Sequence, residues 1–285
     1  MRFIQMYICV LKLIQVIFNH VLAENLTVGM TKISNETLTA YNVGIAMGII
    51  NPEKYSLKSF EKDEPRFRKL YKVFTSINEY EPITYQQFLV LNNYGLFPDT
   101  QESVFQNKTS TRSRSSKKSF KRIVEPGDIL ISGRSDSGLV GHAAIMITNY
   151  WVLEMAGGSK YKKGIKSNNR LISKGDWYDD NYDDDIIIYR CPDTEVAENA
   201  AHWADTNYYN PDGGQEKTIH VTYKIEPNSF KCKNPSYSSK LVVQAYYHAE
   251  VGVIAAVEKY GSVIVPIMIP AYFMPPYDLD VVAQF

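Results

Sequence analysis

The chain has 285 residues, 45% hydrophobic and 22% charged, which is enough for one large domain or a domain with a smaller partner. Basic and acidic residues both number 31, and this balance argues neither for nucleic-acid binding nor for a general attraction to membrane surfaces, so no nucleic-acid partner is predicted. The sequence has no Walker loop, no dinucleotide-binding glycine motif and no HExxH motif, so we predict no cofactor and no metal.

The first 23 residues are typical of an export signal. A short positive start at Arg2 precedes an apolar stretch over residues 3–22, and Ala23 offers a small residue at a plausible cleavage point. We therefore predict a secreted or cell-surface protein with a signal peptide at 1–23. A retained N-terminal anchor is the alternative.

Residues 24–107 are predicted to form a helical N-terminal region. Helical spacing of apolar residues occurs over 39–50 and 66–77, and residues 84–93 could form another helix. No catalytic constellation is evident there, so a small helical cap or partner surface is expected.

Residues 108–122 are predicted to be a basic linker. The stretch carries seven positive charges, no acidic residue and one large apolar side chain, Phe120, so it has little to bury. The functional alternatives are a tether to anionic wall polymer or lipid headgroups, or a protease-sensitive hinge. Membrane contact is expected only through residues 1–23 or 108–122.

Residues 123–285 form the second predicted domain, in which short strands precede packed helices, and this arrangement favours an α+β fold. A broken or edge strand is predicted over 263–273 because it contains two prolines. The predicted strands are 128–132, 142–148, 151–155, 186–189 and 220–225, and the predicted helices are 196–207 and 238–248.

Two features of this domain leave alternatives open. The six aspartates within 176–185 could hold calcium, but the EF-hand spacing is absent and an acidic surface loop is favoured. Cys191 and Cys232 could pair as one disulfide in an oxidising compartment, or could be two unpaired thiols.

Three residues form the candidate site. His142 begins a strand directly after Gly141, and Glu154 is an acid in the otherwise apolar next strand, close to a cross-strand position. A carboxylate there could hold the imidazole in one tautomer and stabilise its charged form. Ser238 opens a predicted helix, and helix N-termini favour anionic groups.

The motifs resemble one family when taken in order. Gly-Asp-Ile-Leu-Ile-Ser (127–132), Gly-His-Ala-Ala-Ile-Met-Ile (141–147), Val-Leu-Glu-Met (152–155) and Tyr-Ser-Ser-Lys-Leu-Val (237–242) are similar to the circularly permuted NlpC/P60 papain-like hydrolases of the YiiX/YebB-like branch. The late Pro-Tyr-Asp-Leu (276–279) completes the set. The resemblance covers about residues 123–285 and implies a papain-like core in which the histidine strand precedes the nucleophile helix.

The resemblance implies catalytic roles for His142 as general base, Glu154 as orienting residue and Ser238 at the nucleophile position, where the family has cysteine. Three interpretations of Ser238 remain: an engineered Cys-to-Ser change, a natural pseudoenzyme, or a working serine variant. A serine hydroxyl is much less acidic than a thiol, whose pKa is ~8.5.

We therefore expect an exported amide or peptide hydrolase acting on cell-wall peptides or lipid-linked amides. Two alternatives belong to other classes of protein. One is a non-catalytic binding protein that retains the groove for a peptide or lipid ligand, and the other is a surface protein anchored by residues 1–23 and 108–122.

Overall fold

A computed structural model describes residues 34–77, 83–105, 114–135, 138–158, 163–227, 229–255 and 263–285. The chain divides into two compact units, Met1–Ser103 and Val104–Phe285. Within the described ranges no helix has the length and apolar character needed to cross a bilayer. The predicted signal peptide at 1–23 lies outside these ranges.

The first unit is helical where it is described. Helix α1 is capped by Ser34, whose side chain accepts a hydrogen bond from the Thr37 amide at 3.1 Å. Thr84 and Gln87 form a capping box at the start of α3. The three predicted helices are therefore present, with shifted ends. Their bounds are Asn35–Ala46 (α1), Leu57–Ile77 (α2) and Tyr85–Leu91 (α3), followed by a 3₁₀ turn at Asn93–Gly95.

Aromatic rings fill the core of this unit. The ring of Phe60 lies 5.9 Å from those of Tyr41 and Tyr94 and 6.1 Å from that of Phe67. Buried Asp63 accepts hydrogen bonds from the hydroxyls of Tyr55 and Ser103 and so meets its polar requirement within the unit. These contacts are those of a packed helical core.

The described strands of the second unit form one antiparallel sheet with the order β4-β3-β2-β1-β5-β6. Strand β1 is central, and Leu130 lies opposite Ala144 on one side and Ile188 on the other. The bounds are Ile129–Ser132 (β1), His142–Met146 (β2), Trp151–Met155 (β3), Asn169–Ser173 (β4), Ile186–Arg190 (β5) and Asp280–Gln284 (β6).

Helices cover the sheet. Phe120 and Trp177, from the first two helices of this unit, pack with Leu130, Ala144 and Val152 on one face. The last two helices pack against each other and against β2. The helices are Arg114–Ile123 (α4), Lys174–Asp180 (α5), Thr194–Tyr208 (α6) and Ser238–Ala249 (α7), with a 3₁₀ helix at Pro266–Tyr272. The prediction of an α+β unit is confirmed, whereas the permuted papain-like core stays a prediction.

The prediction of a solvated linker over 108–122 is wrong from residue 114 onwards. Residues 114–122 lie in α4, and Phe120 is fully buried against Trp177 and Tyr178 at ring distances of 5.9 and 5.1 Å. Because one face of α4 is anchored in the core, its basic residues are displayed from a helix. Residues 108–113 lie outside the described ranges.

Three other predictions need correction. The strand predicted over 263–273 is instead a 3₁₀ helix at Pro266–Tyr272, because prolines suit a tight turn better than a strand. Residues 220–225 contribute two isolated bridges at Tyr223, to Ile165 and to Ser236, but no strand. The predicted acidic loop 176–185 begins within α5, whose Trp177 is buried. Strands β4 and β6 were not predicted from the sequence.

Cys191 and Cys232 are separate thiols and do not form a disulfide. Cys191 is buried, and burial raises the pKa of its thiol. Cys232 is exposed. Of the two predicted alternatives, the unpaired one is therefore correct.

Candidate active site

The candidate site is built on the pairing of β2 with β3. His142 is the first residue of β2, and Glu154 lies near the end of β3. The two side chains are in direct contact, with 2.6 Å between His142 Nε2 and Glu154 Oε2. The Glu154 side chain is completely buried, and His142 is 6% exposed. The structure thus brings together two of the three residues predicted from the sequence.

Two further residues, neither of them predicted from the sequence, donate hydrogen bonds to the Glu154 carboxylate. Arg170 lies opposite Glu154 on β4 and donates from Nε to Oε1 at 2.7 Å. The indole Nε1 of Trp177 donates to Oε2 at 3.0 Å. The carboxylate is therefore fixed by three side chains, which satisfies a buried charge without water.

These contacts determine the ionisation of Glu154. Burial alone would raise the pKa of this carboxyl, but the nearby His142, Arg170 and Arg134 outweigh that effect and lower the pKa to about 2. Glu154 is therefore an ionised, immobile carboxylate at neutral pH. Arg170 is itself held by Asp180, at 2.8 Å.

The hydrogen bond between His142 and Glu154 determines which nitrogen of the imidazole ring carries the proton. Because a carboxylate accepts hydrogen bonds, Nε2 carries a proton in this contact, and in the neutral ring Nδ1 is then the basic nitrogen. A buried carboxylate on Nε2 stabilises the charged imidazolium that forms when Nδ1 takes up a proton. The pair can therefore work as an oriented general base.

Ser238 is the first residue of α7 and is 5% exposed. The helix start is fixed to residue 264 on both sides of Ser238: the Tyr237 hydroxyl accepts from the Ile264 amide at 3.0 Å, and the Ser239 hydroxyl donates to the Ile264 carbonyl at 2.7 Å. These bonds make the position of Ser238 rigid.

The segment that holds the helix start also touches the residue before His142. Gly141 has a φ of +90°, and a Cβ atom there would lie 3.0 Å from Ile267 and 3.2 Å from Pro266. Residues 264–267 therefore contact both Gly141, the residue before His142, and the start of α7. Among the described interactions, Ser238 makes no side-chain hydrogen bond to His142 or to Glu154.

A buried lysine behind Ser238 was also missed from the sequence. Lys240 is 1% exposed and donates from Nζ to the Pro235 carbonyl at 2.8 Å and to the Ser229 hydroxyl at 3.1 Å. Burial lowers the pKa of its ammonium group to about 8. The Lys240 bonds fix the segment that leads into the helix. Its position in Ser-Ser-Lys-Leu-Val could have suggested a role, but nothing in the sequence indicated burial.

The described residues contain no group of three or more His, Cys, Asp or Glu side chains arranged to hold a metal ion. The donor set around Glu154 consists of an imidazole, a guanidinium and an indole, and the last two cannot act as metal ligands. The site geometry is suited to acid–base chemistry carried out by the side chains themselves.

Comparison with known proteins identifies the family. A family model described as "Lipoprotein N-acylation protein LnsA-like" matches residues 85–285. An uncharacterized 30.3 kDa protein of Bacillus thuringiensis is 30% identical over 213 residues, which cover 73% of this chain and 74% of that protein. No solved structure matches the chain.

The matched family is NlpC/P60-like, in agreement with the coarser part of the resemblance seen in the motifs. The match spans α3 and the whole of the second unit, including His142, Glu154 and Ser238. Membership of the permuted YiiX/YebB-like branch stays a prediction. The chain belongs to the LnsA-like family of lipoprotein N-acylation proteins.

Proposed function

We propose that the protein is an acyltransferase that carries an acyl group on Ser238 and passes it to an amine. The observation that carries the proposal is the buried contact of 2.6 Å between His142 and the ionised Glu154. The family description, lipoprotein N-acylation, supports an amine of a lipoprotein as the acceptor. The predicted secreted or cell-surface location is retained as part of the proposal.

The proposed reaction has two half-reactions. In the first, Ser238 Oγ attacks the carbonyl carbon of an acyl ester, its proton moves to His142 Nδ1, and the departing alcohol takes that proton as the ester bond breaks. In the second, an amine attacks the acyl-serine ester, loses a proton to Nδ1, and forms an amide while Ser238 recovers its proton. Glu154 stays ionised throughout and orients the ring.

The carboxylate favours a serine nucleophile for a physical reason. A thiol needs little help to ionise, whereas a serine hydroxyl needs a base strengthened by a fixed negative charge. In Ser-His-Asp triads the correctly oriented acid contributes about 10⁴ in kcat. The buried Glu154 is suited to the same task, so the working serine variant is the interpretation we adopt for Ser238.

Water in place of the amine would make the same site a hydrolase. Cleavage of cell-wall peptides or lipid-linked amides, predicted from the resemblance, is this hydrolytic alternative. A second candidate function is a non-catalytic binding protein, which is favoured by one observation: a serine stands where the resemblance implies a cysteine. One labelling experiment separates a reactive Ser238 from a non-catalytic binding protein.

We expect a fluorophosphonate probe to label the wild-type protein on Ser238, as located by peptide mass mapping. Ser238→Ala should abolish labelling, and Glu154→Gln should slow it by about 10⁴-fold because the base loses its orienting charge. Ser76→Ala is the control, since this exposed serine lies in α2 of the first unit. Its labelling should persist.

A Ser238→Cys variant treated with iodoacetamide tests the alternatives. If the wild type resists the fluorophosphonate while this thiol is labelled rapidly, and the His142→Ala background suppresses that labelling, the binding protein is favoured and acyl transfer is rejected. Slow labelling of the thiol regardless of His142 would reject the site itself.

A further inference from the structure

One face of α4 carries exposed basic side chains. Lys118, Lys121 and Arg122 are exposed, whereas Phe120 on the opposite side is fully buried. Residues 114–123 contain no acidic residue. The helix therefore presents a fixed row of cations to solvent instead of the loose string of charges that the sequence suggested.

Lys174 extends this row from the neighbouring helix. It is the first residue of α5, and burial, with the charge of Lys121 as a second cause, lowers the pKa of its ammonium group. Gly175 next to it lies against Lys121, since a Cβ atom there would be 3.6 Å from the Lys121 Cδ. The charge of Lys121 therefore acts on Lys174, and an anion bound between the two would relieve their repulsion.

Acidic side chains of the protein do not supply that anion in the described ranges. Lys117, at the inner edge of α4, pairs with Asp179 at 2.5 Å. No carboxylate of the described residues comes within ion-pair distance of the other four cations, Lys118, Lys121, Arg122 and Lys174. We call these four residues, with Tyr150, the basic surface.

An exposed aromatic side chain completes the basic surface. The Lys174 amide donates to the Tyr150 carbonyl at 2.9 Å, which places the β2–β3 turn beside the cations. Tyr150 is 53% exposed, and its ring meets that of Trp151 edge-on at 4.7 Å. Tyrosine and tryptophan next to lysine and arginine are typical of surfaces that contact lipid headgroups.

We propose that the basic surface docks on a bilayer that contains anionic lipids. The cations meet the headgroup phosphates, and the Tyr150 ring enters the interfacial layer. A soluble polyanion would satisfy the charges but would give the exposed ring no apolar layer to enter. Because docking requires no reaction at Ser238, the inference does not depend on the proposed acyl transfer.

The test measures binding of the full-length protein to vesicles of phosphatidylcholine alone and with phosphatidylglycerol added. The gain produced by phosphatidylglycerol isolates the electrostatic contribution, since insertion of an apolar segment such as residues 3–22 does not require anionic lipid. We expect a strong gain for the wild type that disappears in concentrated salt.

In the triple variant Lys118→Gln/Lys121→Gln/Lys174→Gln, the gain in vesicle affinity from phosphatidylglycerol should be about 100-fold smaller than in the wild type. This corresponds to about fivefold for each charge removed. The matched control is Lys58→Gln/Lys62→Gln/Lys69→Gln, which removes three exposed lysines from α2 and leaves the same net charge. Equal losses in the two triple variants would overturn the proposal.

Tyr150→Ala distinguishes a lipid surface from a soluble polyanion. It should weaken binding to anionic vesicles severalfold and leave binding to soluble polyphosphate unchanged. If polyphosphate competes with the vesicles completely and Tyr150→Ala binds the vesicles like the wild type, the basic surface is a polyanion site and the proposed lipid docking is wrong.

Discussion

At the scale of single residues, Glu154 is the centre of the candidate site. Its two oxygens bind His142, Arg170 and Trp177, and no water is needed to satisfy them. A buried acid of this kind is costly when unpaired, so the three partners are a condition for its ionisation and for the orientation of the His142 ring.

Glu154 should make stability depend on pH in a defined window. Its pKa of about 2 lies below the ordinary 4.5, so its contribution is complete above about pH 4.5 and is lost as the pH falls towards 2. The size of the shift corresponds to about 3 kcal/mol. We expect Glu154→Gln to be less stable than the wild type at neutral pH and the difference to shrink in acid.

Urea unfolding between about pH 6 and pH 3 measures this dependence. Asp180→Asn is the matched control, because its exposed carboxylate shares the Arg170 partner but is screened by solvent. A constant difference between the wild type and Glu154→Gln over this range would show that Glu154 is not ionised as described.

At the scale of elements, Gly141 is the point where β2 meets the 3₁₀ helix at 266–272. The residue has a φ of +90°, which disfavours any side chain, and it also lies against Pro266 and Ile267. The contact sets how far the segment 264–267 can stand from the His142 strand, and this segment in turn holds the start of α7.

Gly141→Ala should therefore lower the free energy of unfolding for two separate reasons. The backbone conformation costs about 1–2 kcal/mol, and the clash with residues 266–267 adds about 1–3 kcal/mol. Gly213→Ala is the matched control, since Gly213 has a φ of +72° but no atom within 4 Å of an added Cβ. Equal losses, measured by urea unfolding, would contradict the close approach.

The elements predicted correctly are those that carry their own signals. Strands β1 to β3 are short apolar runs separated by turn residues, and α6 and α7 have helical periodicity. Strands β4 and β6 escaped prediction because Asn169–Ser173 and Asp280–Gln284 mix polar and apolar residues at the sheet edges. Their state is decided by pairing with distant strands.

The residues of the candidate site also divide into those with a local sequence signal and those positioned by distant parts of the chain. Glu154 was identified because an acid in an apolar strand needs a partner, and His142 was within reach across a tight turn. Arg170 and Trp177 belong to β4 and α5, which the sequence did not predict, so their contacts with Glu154 could not be foreseen. The burial of Phe120 in the core was not predicted, because the composition of residues 108–122 is dominated by basic and polar residues and one apolar side chain does not change it.

At the scale of the whole second unit, distant parts of the chain converge on one cluster. Phe285 meets the rings of Phe120 and Tyr178 at 5.8 and 6.1 Å, and its backbone pairs with Ile186. Buried side chains of α4, α5 and the end of the chain therefore share one closely packed core.

Phe285→Ala should lower the free energy of unfolding by about 1–3 kcal/mol, less than for a fully buried phenylalanine because the side chain is only partly buried. Val281→Ala, on the strand β6 that directly precedes Phe285 and 45% exposed, should change it by less than about 0.5 kcal/mol. Thermal or urea unfolding checks both variants, and equal effects would place Phe285 outside the core.

Arg170 can reach Glu154 only while β4 keeps its alignment with β3. Asn169, the first residue of β4, uses its side-chain amide to bind the carbonyls of Tyr208 and Ile219 and to accept from the Val221 amide. A slip of β4 by one residue would turn Arg170 to the opposite face of the sheet. Asn169 thus helps to hold β4 in register, and the ionised state of the Glu154 carboxylate depends on a residue that never touches it.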